Sequence, residues 1–149
     1  MSIFTMIDGF RDALIPKQVS AKVLTSQELM TTVTNEFGEP CARIILDRTY
    51  TLIDLVWLKT FLKDYSSVDT RKYVAESFDC DSFSFVLKGE IERLEQGLAL
   101  GLLTVKTESG YHMLNFFVDT NKTVYLIEPQ SDAIFRLRDT KYTPIRYEI

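Results

Sequence analysis

The apolar residues of this chain change their period once, after Gly97, and that change restricts the fold more than any single motif does. Upstream they return every three or four positions. Ile3, Phe4, Ile7, Phe10 and Leu14 predict a short amphipathic helix that Pro16 stops. Leu29, Met30, Val33 and Phe37 predict a second, opened by the capping-box spacing Thr25-x-x-Glu28 and closed by Gly38 and Pro40. Leu55, Leu58, Leu62 and Tyr65 predict a third with Thr51 as its cap. Phe83, Leu87, Ile91, Leu94 and Leu98 predict a fourth, with Asp79 as N-cap and Gly97 as C-cap. The short β-branched run Ala42 to Leu46 predicts a strand. Downstream of Gly97 the apolar segments are short, rich in β-branched and aromatic residues, and divided by ESG, DTNK and SD turns, which predicts an antiparallel meander. The expected class is α+β, with helices packed on one face of a C-terminal antiparallel sheet.

At 149 residues, 46% hydrophobic and 26% charged, the chain is expected to form one domain over 1–149, mainly helical over 1–72, with the Cys80 helix and the strands over 73–149. A net charge of -4 supplies no basic field, so no nucleic-acid partner is expected. Asp8, Arg11 and Asp12 interrupt the first apolar stretch and no 18-residue apolar run follows; the expectation is a cytoplasmic chain with no membrane partner, including the host cytoplasm if phage-encoded. Two cysteines make no disulfide framework, and one histidine excludes a multi-histidine zinc site within the chain.

The stretch FDCDSF places Cys80 at the first turn of the fourth helix, on its inward side, between two carboxylates. If DTN is a three-residue hairpin loop with Asn121 left-handed, paired residues sum to 240, and His112 faces Glu128. A two-residue loop would instead throw Glu128 to the other face. Nucleophile, base and orienting group then follow in the chain order of a papain-like thiol hydrolase: His112 deprotonates Cys80, and Glu128 fixes the imidazole tautomer. Read singly, each residue has an ordinary role. Cys80 fits a core thiol, His112 a structural histidine and Glu128 a solvated strand-end carboxylate; Asp79 fits an N-cap, Asp81 a helix-dipole partner, and Gln130 with Asp132 a turn.

The stretches YVAESFDCDSFSFVLKGEI and GYHMLNFFVDTNKTVYLIEPQSDAIF, with the strand between them, resemble the papain-like C-terminal domain of the Marasmius oreades agglutinin and its stand-alone, partly phage-borne relatives. The resemblance covers roughly residues 73 to 137. It implies a papain-like fold and a catalytic set of Cys80, His112 and Glu128, with a calcium-type cation beside it. No β-trefoil is part of it, so it implies no sugar binding.

A cation would settle the charge conflict at DCD, because two carboxylates beside a thiol otherwise oppose its ionisation. Asp79, Asp81, Gln130 and Asp132 are oxygen donors of the kind Ca2+ or Mn2+ accepts. The sequence therefore predicts a divalent-cation-dependent cysteine hydrolase acting on a peptide or protein, with a homodimer as a further expectation. The alternative is a catalytically inactive papain-like binding or structural module, such as a phage accessory protein.

Overall fold

A computed structural model describes residues 14–39 and 41–149. The opening helix expected from Ile3, Phe4, Ile7, Phe10 and Leu14 lies outside the described residues except for Leu14, and so does Pro40. The chain mixes helices with one large sheet. Its elements in order are β1 (Val23–Thr25), α1 (Ser26–Phe37), β2 (Ala42–Ile44), β3 (Thr49–Thr51), α2 (Leu55–Asp64), α3 (Cys80–Leu94), β4 (Leu100–Thr107), β5 (Gly110–Val118), β6 (Val124–Glu128), β7 (Ala133–Phe135) and β8 (Thr143–Glu148).

The helices begin where polar side chains meet their free N–H groups. At α1 the expected capping box is complete: the Thr25 hydroxyl accepts from the Glu28 N–H at 3.3 Å, and the Thr25 N–H donates to the Glu28 carboxylate at 2.9 Å. At α2 the cap is Asp54, which accepts from the Trp57 N–H at 2.8 Å; Thr51, the expected cap, ends β3 instead. Its buried stripe is Trp57, Leu58, Phe61 and Leu62, so an aromatic pair carries the contact expected of Leu55 and Tyr65.

Strands β4 to β7 form the expected meander, in the spatial order β2-β8-β4-β5-β6-β7. β8 departs from the expectation. It returns to the far side of β4, antiparallel to it, and β2 adds in parallel outside β8. Alternation along the strands then makes two apolar faces. Leu103, Leu114, Phe116 and Leu126 pack on one side against Leu29, Val33 and Phe37 of α1. Leu100, Phe117 and Ile127 pack on the other against α2 and against Phe83, Leu87 and Ile91 of α3. Helices therefore cover both faces of the sheet, not one, because the strands are apolar on both sides. The papain-like version of this α/β architecture is a finer statement than the element layout carries.

The β5–β6 register also differs from the expectation. Val118 pairs with Val124, so partners sum to 242, and the connection runs from Asp119 to Thr123 with Lys122, not Asn121, left-handed at φ 62°. The Asp119 carboxylate holds this longer loop by accepting from the N–H groups of Asn121 and Thr123 at 2.9 and 2.8 Å.

Candidate functional site

A cleft of about 600 Å3 opens where the β4–β5 turn meets the start of β8. Three features of the strand pairing build it. Thr107 pairs with Gly110, leaving Glu108 and Ser109 as a two-residue turn, with Gly110 at φ 138°. Lys106 pairs with Thr143, which brings Lys141 and Tyr142 alongside that turn. Tyr111 and His112 follow the turn on β5 and complete the wall. Tyr111 is 72% exposed, so its ring is offered to solvent rather than used in the core. Lys141 and Glu108 pair across the rim at 2.9 Å, an exposed contact worth little to stability.

His112 is the polar centre of this wall. Its Nε2 lies 2.6 Å from Glu128 Oε2, with both side chains about one-fifth exposed. The register slip of two preserves this contact, since an even shift keeps both residues on the same sheet face and moves them from opposite to diagonal. The other Glu128 oxygen accepts from the Gln130 N–H at 3.2 Å, so the carboxylate is held at both ends. The Tyr142 ring stands edge-on to the imidazole at 6.5 Å and to Phe135 at 6.5 Å.

Cys80 is not among the residues that line this cleft. It opens α3 as expected, is half-buried and free, and its carbonyl accepts from the Ser84 hydroxyl at 2.9 Å. Ser84 in turn is fully buried and its carbonyl accepts from Asn115 at 3.0 Å. Among the described residues no hydrogen bond joins the Cys80 sulfur to His112. Cys41, the other thiol, is buried in the α1 core, and burial pushes its pKa up.

Asp79 occupies the N-cap position of α3 but makes no capping hydrogen bond. Its carboxyl pKa is raised, chiefly by the neighbouring Asp81 carboxylate. Asp132 lies elsewhere, within the field of Asp69 and Glu90. Gln130 turns with Glu128. Among the described residues, no three His, Cys, Asp or Glu side chains come together as a group that would hold a metal ion. The acidic donors Asp79, Asp81 and Asp132 therefore do not form one such group.

The comparisons with known proteins bear on the two functional expectations. Residues 18–143 match the family described as ricin-type beta-trefoil lectin C-terminal domain. The chain belongs to that lectin C-terminal domain family. A comparison with curated proteins returned no match. Among solved structures, a "PSL1a-E64 complex" is similar with a TM-score of 0.75 and 21% identity, over 85% of this chain and 50% of that one. The Polyporus squamosus lectin bound to the human-type influenza-binding epitope Neu5Aca2-6Galb1-4GlcNAc is similar with a TM-score of 0.72 and 21% identity, over 85% of this chain and 49% of that one. This lectin C-terminal domain thus spans about half the length of the solved chains it matches. At that identity the likeness shows the fold.

These findings correct the expectation of a cysteine hydrolase acting on peptides. The family whose model matches is a lectin C-terminal domain, described by its lectin character and not as a hydrolase. The relation to the agglutinin C-terminal domain stands; the protease reading attached to it does not. No described helix is long and apolar enough to cross a membrane. The cleft itself was invisible in the sequence, because Lys141 and Tyr142 reach it only through the return of β8 to β4.

Proposed function

We propose that this lectin C-terminal domain is a non-enzymatic binding module whose ligand is a glycan held in the cleft beside the β4–β5 turn. The observation that carries the reading is the lining of that cleft. Tyr111 and Tyr142 supply flat apolar faces, while Thr107, Ser109, His112 and Lys141 supply donors and acceptors around them. A saccharide has the matching chemistry: the C–H face of a pyranose lies against an aromatic ring, and its hydroxyls need polar partners in the ring plane. Membership of a lectin family and the glycan carried by a structural neighbour support the same ligand class.

The scaffold that holds the cleft is, on this proposal, a papain-like arrangement put to binding use, with residues 1–149 acting as one domain. The helix opened by Cys80 then serves to cover the sheet.

Isothermal titration with Neu5Acα2-6Galβ1-4GlcNAc and with lactose tests the reading. Wild-type protein is expected to bind at least one of them, and Tyr111→Ala to weaken that binding by about tenfold, the scale of one aromatic contact. Because Tyr111 is largely exposed, the variant should keep its melting temperature. Binding that is indifferent to Tyr111→Ala, or no binding of any glycan across an array, would overturn the proposal.

A further inference from the structure

We infer that the groove between the outer face of α3 and the end of β8 docks a peptide segment that carries a large apolar side chain beside a Lys or Arg. The groove encloses about 440 Å3 and shares no lining residue with the cleft beside the β4–β5 turn, so it stands apart from the glycan reading. Phe85, Gly89 and Glu92 follow one another at helical spacing on the side of α3 turned away from the buried Phe83, Leu87 and Ile91. Leu102 pairs with Glu148, which brings β4 and β8 to the opposite side. Leu102 and Ile149 are almost fully buried and lie deep in the groove, while Phe85 and Leu46 stand at its margin 52% and 75% exposed. Single exposed apolar side chains are ordinary; two large ones bordering one apolar cavity mark a surface made to be covered.

Gly89 adds an independent observation. It lies inside α3, where glycine weakens a helix relative to alanine, and a Cβ there would meet nothing within 4 Å. No neighbour within the described chain therefore requires a glycine at this position. On the groove, the missing side chain leaves helix backbone open to close approach by an incoming group.

The charges around the groove decide what that group carries. Lys88 is held by two acceptors, the Glu92 carboxylate at 2.9 Å and the Leu100 carbonyl at 2.8 Å. Glu92 and Glu148 each engage one oxygen, with Lys88 and with Arg146, and among the described residues the other oxygen of each has no hydrogen bond. The lining thus sets one lysine against two carboxylates and keeps a negative excess. A Lys or Arg beside the apolar anchor complements it, whereas an acidic segment or an anionic lipid surface is repelled. The neighbouring backbone favours a peptide. β2 is the outermost strand of the sheet, with Ala42, Arg43 and Ile44 all exposed, and it ends two residues before Leu46. An extended main chain laid there finds backbone groups that no strand of this sheet has paired.

The test titrates the full 15N-labelled chain with capped hexapeptides: Leu-Phe flanked by lysines, Leu-Phe flanked by glutamates, and the lysines with two alanines in place of Leu-Phe. The lysine-flanked Leu-Phe peptide should give saturable amide shifts at Phe85 to Glu92, at Leu46 and at Leu102. The glutamate-flanked peptide should bind about fivefold more weakly at low salt, the scale of a surface ion pair, and the gap should close in about 1 M salt. Loss of Leu-Phe should weaken binding by about tenfold or more. Glu148→Gln should narrow the gap between the two Leu-Phe peptides. Gly89→Leu should fill the groove and cut binding by about tenfold, with a melting temperature no lower than wild type, since leucine favours a helix and its Cβ has room. Equal binding of the two Leu-Phe peptides at low salt, binding indifferent to Gly89→Leu, or no shifts at about 10 mM peptide would overturn the inference. Shifts of the same amides when the protein alone is concentrated would assign the groove to a second copy and overturn it as well.

Discussion

Asp132 holds a left-handed backbone at φ 55° with one carboxylate oxygen buried and without a hydrogen-bond partner. Burial, with the negative charges of Asp69 and Glu90, pushes its pKa up to about 6. The folded state therefore binds this proton more tightly than the unfolded chain does. The stability it contributes is fully present below the unfolded value near 4 and is lost as pH rises through about 6. Taken at face value the displacement corresponds to about 3 kcal/mol, but the side chain is only half-buried and screening by water reduces this to about 1 kcal/mol. Asp132→Asn keeps the shape, tolerates the left-handed backbone and removes the charge. It is expected to raise the melting temperature by about 2–4 °C at neutral pH and to leave it unchanged near pH 3.5. A variant that melts lower at neutral pH would show that the carboxylate has a partner there. At Cys80 the sequence posed a real conflict between a thiol and two carboxylates. How Asp79 and Asp81 act on one another was not legible, because it depends on side-chain placement that spacing does not fix.

Strand and helix boundaries were legible where a side chain terminates the element. Thr25-x-x-Glu28 marked the start of α1 to the residue, since the motif is itself the hydrogen-bonding pattern. Thr25→Ala should cost about 1 kcal/mol, read as a lower denaturation midpoint with an unchanged slope. The β5–β6 loop was not legible. Asn121 looked like the left-handed residue by composition, yet Lys122 takes that conformation because the Asp119 carboxylate anchors the loop from inside. Gly101 shows a constraint of another kind. Its φ is unremarkable, but a Cβ there would collide with the Phe116 ring and with the Glu148 backbone oxygen at 2.5 Å. One neighbour is backbone that cannot step aside. Gly101→Ala is expected to destabilise by about 1–3 kcal/mol, and a melting temperature equal to wild type would show that β4 and β8 have slack at this crossing.

At the scale of the whole molecule, the sequence declared helices before strands but not how they stack. The strands read as short apolar runs, which fit a sheet buried on one face or both. Only the packed structure places α1 opposite α2 and α3 and brings β8 back beside β4. The same return explains why half of the site was legible. His112 and Glu128 sit on adjacent strands, so their meeting followed from alternation even with the register off by two. Lys141 and Tyr142 come from a loop whose position depends on the last strand, and nothing local in the sequence announces it. The central claim is that this lectin-family domain binds a glycan at that junction. Amide chemical-shift mapping during titration with Neu5Acα2-6Galβ1-4GlcNAc tests it most directly. The account predicts saturable shifts concentrated at Thr107 to His112 and at Lys141 and Tyr142. Saturable shifts centred elsewhere, for instance along the exposed Phe85 face of α3, or no shifts at millimolar ligand, would contradict it.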